Sequence, residues 1–193
     1  MTPSRPDFEA DSWAFALKIY AASGVADACL KLQNEAGADV MMLLAVTFAA
    51  VRHRILLNPA EIRELDEACR PWREQIVWPL RAVRSGLKTG PSPAPSGETE
   101  QFRSKVKAVE LAAERLQNQL LAERMPLRPP ERDAVDAAEL RSVLTGVVTL
   151  FLERRGNKPI ADHLPGIGEI VAAAMHDARR RTSASITSRS PNG

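Results

Sequence analysis

The chain has 193 residues, of which 45% are hydrophobic, and this is enough for one compact domain with a substantial core. Because 26 Lys and Arg residues nearly balance 24 Asp and Glu residues, the net charge of +2 excludes an overall electrostatic attraction to nucleic acid or anionic lipid. Cys29 and Cys69 are far apart and lack metal-ligand spacing, so we expect reduced thiols in the core.

The first two predicted helices are short and are separated by a glycine. Apolar residues recur at helical spacing over 12–22, and Asp11 or Ser12 is placed to cap this helix. A second helix follows the break at Gly24, and we expect Gly37 to end it as a left-handed C-cap.

The third predicted helix, over 40–54 with Asp39 as its N-cap, is apolar around its whole circumference until Arg52. Neighbouring helices must cover it on every side, which predicts the centre of the fold. Its uncharged run, 40–51, is too short to cross a bilayer, and the first residues lack the pattern of a signal peptide. We therefore expect a cytoplasmic protein that has no membrane partner.

Two proline-containing helical segments follow. Asn58 and Pro59 are typical of a cap followed by proline at the first helical position, and Pro71 is expected to end or kink that helix. Over 72–88 an apolar seam continues despite Pro79, which should bend the helix. The seam consists of Trp72, Ile76, Leu80, Val83 and Leu87.

A run of Pro, Gly and Ser over 89–98 predicts a flexible linker, because it offers nothing to pack against a core. After it, alternating steps of four and three residues predict a long amphipathic helix over 99–124 that packs on the bundle. Its expected buried seam is Phe102, Val106, Val109, Ala113, Leu116 and Leu120.

The last part of the chain, 131–181, is predicted to form a C-terminal helical pair. Three prolines over 125–131 end the long helix, and a strongly apolar helix then extends to Leu152. The final stretch, 182–193, is polar and has no acidic residues, so we expect a disordered tail.

These elements predict an all-α fold, a helical bundle of about six to seven helices, because no stretch shows the alternation of a strand. The N-terminal helical domain is expected over 8–88. The C-terminal helices either complete this bundle or form a small unit of their own.

Two segments resemble a known family. Segment 12–50 contains a tryptophan, a CLKLQ run and a G-x-D-V turn, and it is similar to one signature block of an uncharacterised family of small proteobacterial proteins. Segment 72–88 is similar to a second block of that family. That family is a domain of unknown function, so the resemblance covers the N-terminal half of the chain and implies no activity.

Four cations over 72–88 form a basic stripe, namely Arg73, Arg81, Arg84 and Lys88. Their offsets of eight, eleven and fifteen residues return to nearly one direction of a helix. Such a stripe can bind phosphate, an acidic peptide or RNA. The structural alternative is a solvated face paired with Glu64, Glu67 or Glu74.

A polar cluster is predicted where the second helix meets the third. Gln33 and Asp39 flank Gly37, and an amide and a carboxylate there can converge on a small ligand. The alternative is a structural role for all three residues. Gly37 then ends one helix, Asp39 caps the next, and Gln33 forms a hydrogen bond within the turn.

The segment 163–179 is similar to the second half of a helix-hairpin-helix DNA-binding motif. In that motif a glycine turn points backbone N–H groups at a phosphate. The resemblance implies a phosphate-binding turn at Gly166, Ile167 and Gly168, with Arg179 adding a contact. The glycines can equally serve an ordinary turn into a buried helix.

No pattern in the sequence indicates catalysis, a metal or a cofactor: the histidines lack metal spacing, and neither cysteine has an activating context. We therefore expect a non-enzymatic interaction or regulatory protein that presents a basic helix face to another protein. The alternatives are weak, sequence-independent DNA binding through the C-terminal turn, and a helical enzyme or small-ligand pocket near Gln33 and Asp39.

Overall fold

The computed structural model describes residues 4–130, 132–156 and 164–187. They form eight α-helical segments: α1 Arg5–Tyr20, α2 Val25–Lys31, α3 Val40–His53, α4 Pro59–Trp72, α5 Trp78–Gly86, α6 Gly97–Arg124, α7 Ala137–Arg154 and α8 Leu164–Thr187. A π-helical turn, Leu32–Ala36, extends α2, and a second, Arg73–Val77, joins α4 to α5 without a break. The described residues thus make seven continuous helices and no strand, which confirms the predicted all-α bundle.

The start of α1 differs from the prediction. Ser4 is its N-cap, and the Ser4 hydroxyl accepts a hydrogen bond from the backbone N–H of Asp7. Pro6 fits the first turn because backbone N–H groups there have no helical partner. Ser12, predicted as a possible cap, lies inside the helix, where its hydroxyl donates to Asn118 Oδ1 at 2.9 Å.

The caps predicted at Gly37, Asp39 and Asn58 are confirmed. Gly37 has a φ of 71° and closes the π-helical turn that extends α2. Asp39 accepts a hydrogen bond from the N–H of Met42 at 3.2 Å and so caps α3. Asn58 and Glu61 form a reciprocal capping box at the start of α4.

Helix α3 lies at the centre of the fold, as predicted from its apolar circumference. Every residue from 41 to 50 is buried, and α3 packs against α1, α6, α7 and α8. Phe48 packs with its ring centroid 4.9 Å from that of Phe8. No single helix among the described residues is long and apolar enough to cross a membrane, although the bent pair α1 and α2 passes by length and composition.

The apolar seam predicted over 72–88 is wrong in part. The residues that face inward at its start are Arg73 and Val77, whereas Ile76 and Val83 are exposed. Instead of ending the helix, Pro71 lies within α4, and the helix widens into the π-helical turn before Pro79. Because a π turn adds a residue, it rotates the face that a strict α-helical period predicts.

The seam predicted for α6 is also wrong in part, because Phe102, Val109 and Leu116 are 53%, 54% and 50% exposed. The helix instead buries polar residues among its apolar ones, notably Glu110, Gln117 and Asn118. The helix begins at Gly97, behind the N-cap Ser96, slightly before the predicted end of the linker. The flexibility of that linker stays a prediction.

The C-terminal helices belong to the same core as the rest. Helix α7 packs against α3 and α4, and α8 packs against α2, α3 and α7. Ile167, Ile170, Val171 and Ala174 of α8 join the central hydrophobic cluster. The α8 backbone stays helical to Thr187, so the first part of the tail predicted to be disordered is helical. The rest of that tail, 188–193, lies outside the described residues.

Candidate functional site

The surface carries a groove between α1, α2, α5 and α6, with a volume of about 390 Å³, which we call the apolar groove. Large exposed hydrophobic side chains line it: Leu17, Tyr20, Leu30 and Leu111 are 50%, 38%, 44% and 47% exposed. Trp13 and Met41 complete the wall. Apolar side chains gathered in one concave place on a surface are typical of a binding site.

A charged rim borders the apolar groove, with Arg81, Arg84, Lys88 and Lys107 as cations and Glu110 and Glu114 as carboxylates. Arg81 lies between both acids: its Nε donates to Glu110 at 2.8 Å and its Nη2 donates to Glu114 at 2.5 Å. Arg84 also donates to Glu110. The rim therefore has an excess of positive charge, and two of its cations are held in fixed orientations.

The pKa values of the two acids of the rim are shifted in opposite directions. Burial alone would raise the pKa of Glu110, but hydrogen bonds from Arg84 and Arg81 outweigh it and lower the pKa. Burial raises the pKa of Glu114, and the charge of Arg81 only partly offsets it. The hydrogen bond to Glu110 raises the pKa of Arg84. Glu110 thus pairs with two arginines, and Glu114 pairs with Arg81 alone.

A second concavity, with a volume of about 510 Å³, adjoins the apolar groove, and we call it the basic depression. Its charged lining residues are Arg81, Arg84, Lys88 and Arg155, and no Asp or Glu of the described chain is among its lining residues. Gln33 and Asn34 enter it from the π-helical turn that follows α2, a kind of turn that is frequent at functional sites.

Arg155 reaches this depression from the end of α7 because Gly37 leaves room for it. Its Nη1 donates to the carbonyl oxygen of Asn34 at 3.3 Å. A Cβ at Gly37 would lie 2.3 Å from Arg155 Nε, so a larger residue would displace the guanidinium. Gly37 thus ends the helix and also leaves room for the guanidinium of Arg155.

Arg73, predicted as part of the basic stripe, does not lie on that surface. It is 1% exposed, forms ion pairs with Asp39 at 3.1 Å and Asp66 at 2.8 Å, and lies 5.0 Å over the ring of Phe151. Burial opposes its charge, but the two carboxylates outweigh burial and raise the pKa of Arg73. The π-helical turn rotates it into the core, which corrects the prediction of one continuous stripe.

The remaining stripe residues, Arg81, Arg84 and Lys88, do line one surface. The acids that hold Arg81 and Arg84 come from α6, not from Glu64 or Glu67, which the sequence offered as partners.

Gln33 and Asp39, predicted as one polar cluster, are separated. Gln33 lines both concavities, whereas the buried Asp39 lines neither and contacts Arg73 and Gln117. Gln33 instead shares its surroundings with Arg81. The structure therefore keeps one member of this cluster at the candidate site and uses the other in the core.

The glycine turn predicted at Gly166, Ile167 and Gly168 lies at the start of α8, and its binding of phosphate stays a prediction. A Cβ at Gly166 would lie 3.3 Å from Leu32, so this glycine permits close packing of α8 on α2. Ile167 is buried in the core, and Arg179 is exposed further along α8.

The part of the chain that the structure describes holds neither a cluster of metal ligands nor an exposed thiol. No three His, Cys, Asp or Glu side chains there could hold a metal ion. Burial raises the pKa of Cys29 and of Cys69 to about 12, which keeps both thiols protonated. Burial between Phe8 and Phe48 lowers the pKa of His53.

Sequence reasoning missed several residues of the candidate site, namely Leu17, Leu111, Lys107, Glu110, Glu114 and Arg155. Leu17 was predicted only as one of the apolar residues of the first helix. The other five residues lie on α6 or at the end of α7, far from the basic stripe in sequence. A heptad that places Glu110 among apolar positions was the one available signal, because a buried acid needs a cation nearby.

Comparison with known proteins identifies a family and nothing further. The model of a family described as a protein of unknown function, DUF2390, matches residues 11–121. This confirms the resemblance seen over 12–50 and 72–88 and extends it through most of α6. No curated protein and no solved structure matches the chain.

Proposed function

This chain belongs to the DUF2390 family of proteins of unknown function, and we propose that it is an interaction module that binds an acidic, partly apolar segment of another protein in the apolar groove. The observation that carries the proposal is the groove itself. Four large hydrophobic side chains that are 38% to 50% exposed line one concavity whose rim carries four cations.

The apolar wall supports a partner with hydrophobic side chains. Burying an exposed Leu is favourable by roughly 25 cal/mol for each Å² removed from water. Leu17 and Tyr20 lie one turn apart on α1, and Leu111 faces them from α6. A short amphipathic helix that lays two or three apolar side chains between these helices would cover them.

The charged rim supports acidic flanks on the same partner. Arg84 and Lys107 lie at the groove together with Lys88, and Glu110 and Glu114 already compensate Arg81 and Arg84. Lys88 and Lys107 are left to meet carboxylates of the partner. Charge at a rim contributes more to orientation and association rate than to affinity.

Nucleic acid fits this surface less well than a protein segment does. A phosphate backbone favours an open surface of cations, because each contact neutralises one phosphate. The apolar groove instead sets two carboxylates, Glu110 and Glu114, beside exposed leucines. Those leucines would remain in water beneath a nucleic acid.

The test is selection of peptides from a displayed random library against the purified full chain. Selected peptides are expected to combine Asp or Glu with Leu, Ile, Phe or Trp at helical spacing, because these match the rim and the wall. Binding of a selected peptide is then measured by fluorescence polarisation. A selection without acidic and apolar enrichment would overturn the proposal.

Matched variants on α6 separate the groove from the rest of the surface. Leu111 lines the groove and Leu116 does not, although their exposed fractions are 47% and 50%. Leu111→Ser should weaken peptide binding about tenfold, which is ~1.4 kcal/mol, and Leu116→Ser should leave it unchanged. Equal effects of the two variants would place the peptide elsewhere.

A second matched pair tests the rim. Lys105 and Lys107 are both exposed on α6, and only Lys107 lines the groove. Lys107→Glu should weaken binding several-fold and flatten its dependence on salt, because a favourable charge becomes a repulsive one. Lys105→Glu makes the same charge change outside the groove and should leave the affinity unchanged.

A further inference from the structure

The basic depression has a chemistry of its own. Four cations and no carboxylate of the described chain are among its lining residues, whereas the apolar groove carries two carboxylates. Its neutral polar groups, Gln33, Asn34 and Ser85, can donate hydrogen bonds from amide and hydroxyl groups. An anion placed there meets hydrogen-bond donors and an excess of positive charge, although Arg81 and Arg84 already pair with Glu110.

The cations reach this depression from two separate parts of the fold. Arg81, Arg84 and Lys88 come from α5 and the residues just after it, and Arg155 comes from the end of α7. Glu110 fixes Arg84, and the small side of Gly37 admits Arg155. The site is therefore built in advance by packing, because neither guanidinium has to move far to meet a ligand.

We infer that the basic depression binds a phosphate monoester group. A carboxylate needs one guanidinium for a bidentate contact, whereas a phosphate monoester carries three free oxygens and close to two negative charges. Arg84, Lys88 and Arg155 match that demand. Trp78 also lines the depression and can contact the group that bears the phosphate.

The inference deepens the proposed function, because the depression shares Leu30, Gln33 and Lys88 with the apolar groove. A phosphorylated side chain of the bound segment can reach the depression, and a free phosphate ester has the same chemistry. Both sources present the same oxygens to the same cations.

The experiment uses phenyl phosphate as the probe and the isotope-labelled full chain as the receptor. The chain has three tryptophans, whose indole N–H signals report separately: Trp78 lines the basic depression and Trp13 lines the apolar groove. Phenyl phosphate should shift the signal of Trp78 in a saturable way and leave that of Trp13 in place. Benzoate should bind at least fivefold more weakly.

Variants decide whether the cations of the depression are responsible. Lys88→Gln and Arg155→Gln should each weaken phenyl phosphate at least fivefold, and Lys105→Gln, outside the depression, should not. Lys88 is exposed at the end of the helix, so its replacement leaves the fold intact. Absence of a saturable shift of Trp78, or equal affinity of all variants, would overturn the inference.

A second arm distinguishes the two sources and keeps the proposed function separate. A peptide selected for the apolar groove is compared with its phosphoserine form. More than tenfold tighter binding of the phosphorylated form, lost in Arg155→Gln, assigns the phosphate to the partner protein. Equal binding of both forms alongside specific phenyl phosphate binding assigns it to a free ester. Leu111→Ser should weaken the peptide and not phenyl phosphate, so the two proposals can fail independently.

Discussion

Arg73 and Arg81 lie eight residues apart on one continuous helix, and each holds two acids, yet their surroundings are opposite. Arg73 is buried with Asp39 and Asp66 in the core, whereas the side chain of Arg81 is 21% exposed at a groove. The same residue type in the same pattern thus lies in a buried ion cluster in one place and at the rim of a groove in the other.

The difference lies in what each arginine can exchange. The core cluster is closed: Gln117 also contacts Asp39, and Arg154 also contacts Asp66, so no ligand can replace a partner there. At the rim, the side chains of Arg81 and Glu114 are 21% and 20% exposed, so the anionic group of a ligand can reach Arg81. Accessibility, more than charge, separates a site from a scaffold.

The largest loss of stability is expected for Arg73→Ala. Removing the cation leaves Asp39 and Asp66 buried, and losing one partner of a buried ion pair typically costs about 3–5 kcal/mol. The free energy of unfolding is measured by urea denaturation followed by circular dichroism. Arg81→Ala is the control and should cost less than about 1.5 kcal/mol, because Arg84 still pairs with Glu110 and water reaches Glu114. Equal losses would contradict the distinction between core and rim.

A smaller loss of stability is expected when Glu110 at the rim is replaced. Glu110→Gln should lower the free energy of unfolding by roughly 2 kcal/mol at pH 7, because two arginines then donate to a neutral amide instead of a carboxylate.

The pH dependence of that difference follows from the lowered pKa of Glu110. A carboxyl group with a folded pKa below its ordinary value of 4.5 stabilises the fold above pH 4.5, and this stabilisation is lost as the pH falls through the folded pKa. The gap between wild type and Glu110→Gln should therefore narrow below pH 4.5. A gap that widens there would show that the acid is not paired in the folded state.

Gly37→Ala tests whether the position of Arg155 matters for the basic depression. The positive φ of 71° should cost the substituted chain roughly 1–2 kcal/mol, and the new Cβ must displace Arg155. Urea denaturation measures the first effect and the affinity for phenyl phosphate the second. Gly156→Ala is the control, since its φ is 70° and nothing lies near its Cβ. It should lose stability and keep the affinity.

The smallest expected effect concerns the two thiols. With pKa values of about 12, Cys29 and Cys69 should both resist iodoacetamide at pH 8 in the folded protein. In Arg73→Ala, Cys69 should react faster because it lies one turn from the disrupted cluster, and Cys29 should stay protected. Mass spectrometry of timed samples reports each site. Rapid labelling of Cys69 in the wild type would show that the core cluster is open.

Local features were predictable because they depend on a few consecutive residues. The caps at Gly37, Asp39 and Asn58 follow from backbone geometry and from the nearest N–H groups, and the structure confirms all three. The central position of α3 followed from its composition alone. The predicted seams were less accurate, because a π-helical turn before Pro79 rotates one helix and polar pairs are buried on another.

The candidate site was predictable only in fragments. Arg81, Arg84, Lys88 and Gln33 were each singled out, but on two separate surfaces that the structure brings together. Leu111 and Arg155 could not be found, because only the crossing of α6 and the end of α7 with α2 and α5 places them there. Arg73 was wrongly placed for a local reason, because the π-helical turn at 73–77 rotates it into the core.

Helix propensity, capping and apolar periodicity act within a few residues along the chain, so the helices, most of their ends, the central helix and the resemblance to the family could be predicted from the sequence. Which arginine is buried, and which helices face one another across the groove, became visible only in the folded chain. Those outcomes depend on packing between residues distant in sequence, where a charge becomes scaffold or site according to whether water and a ligand can reach it.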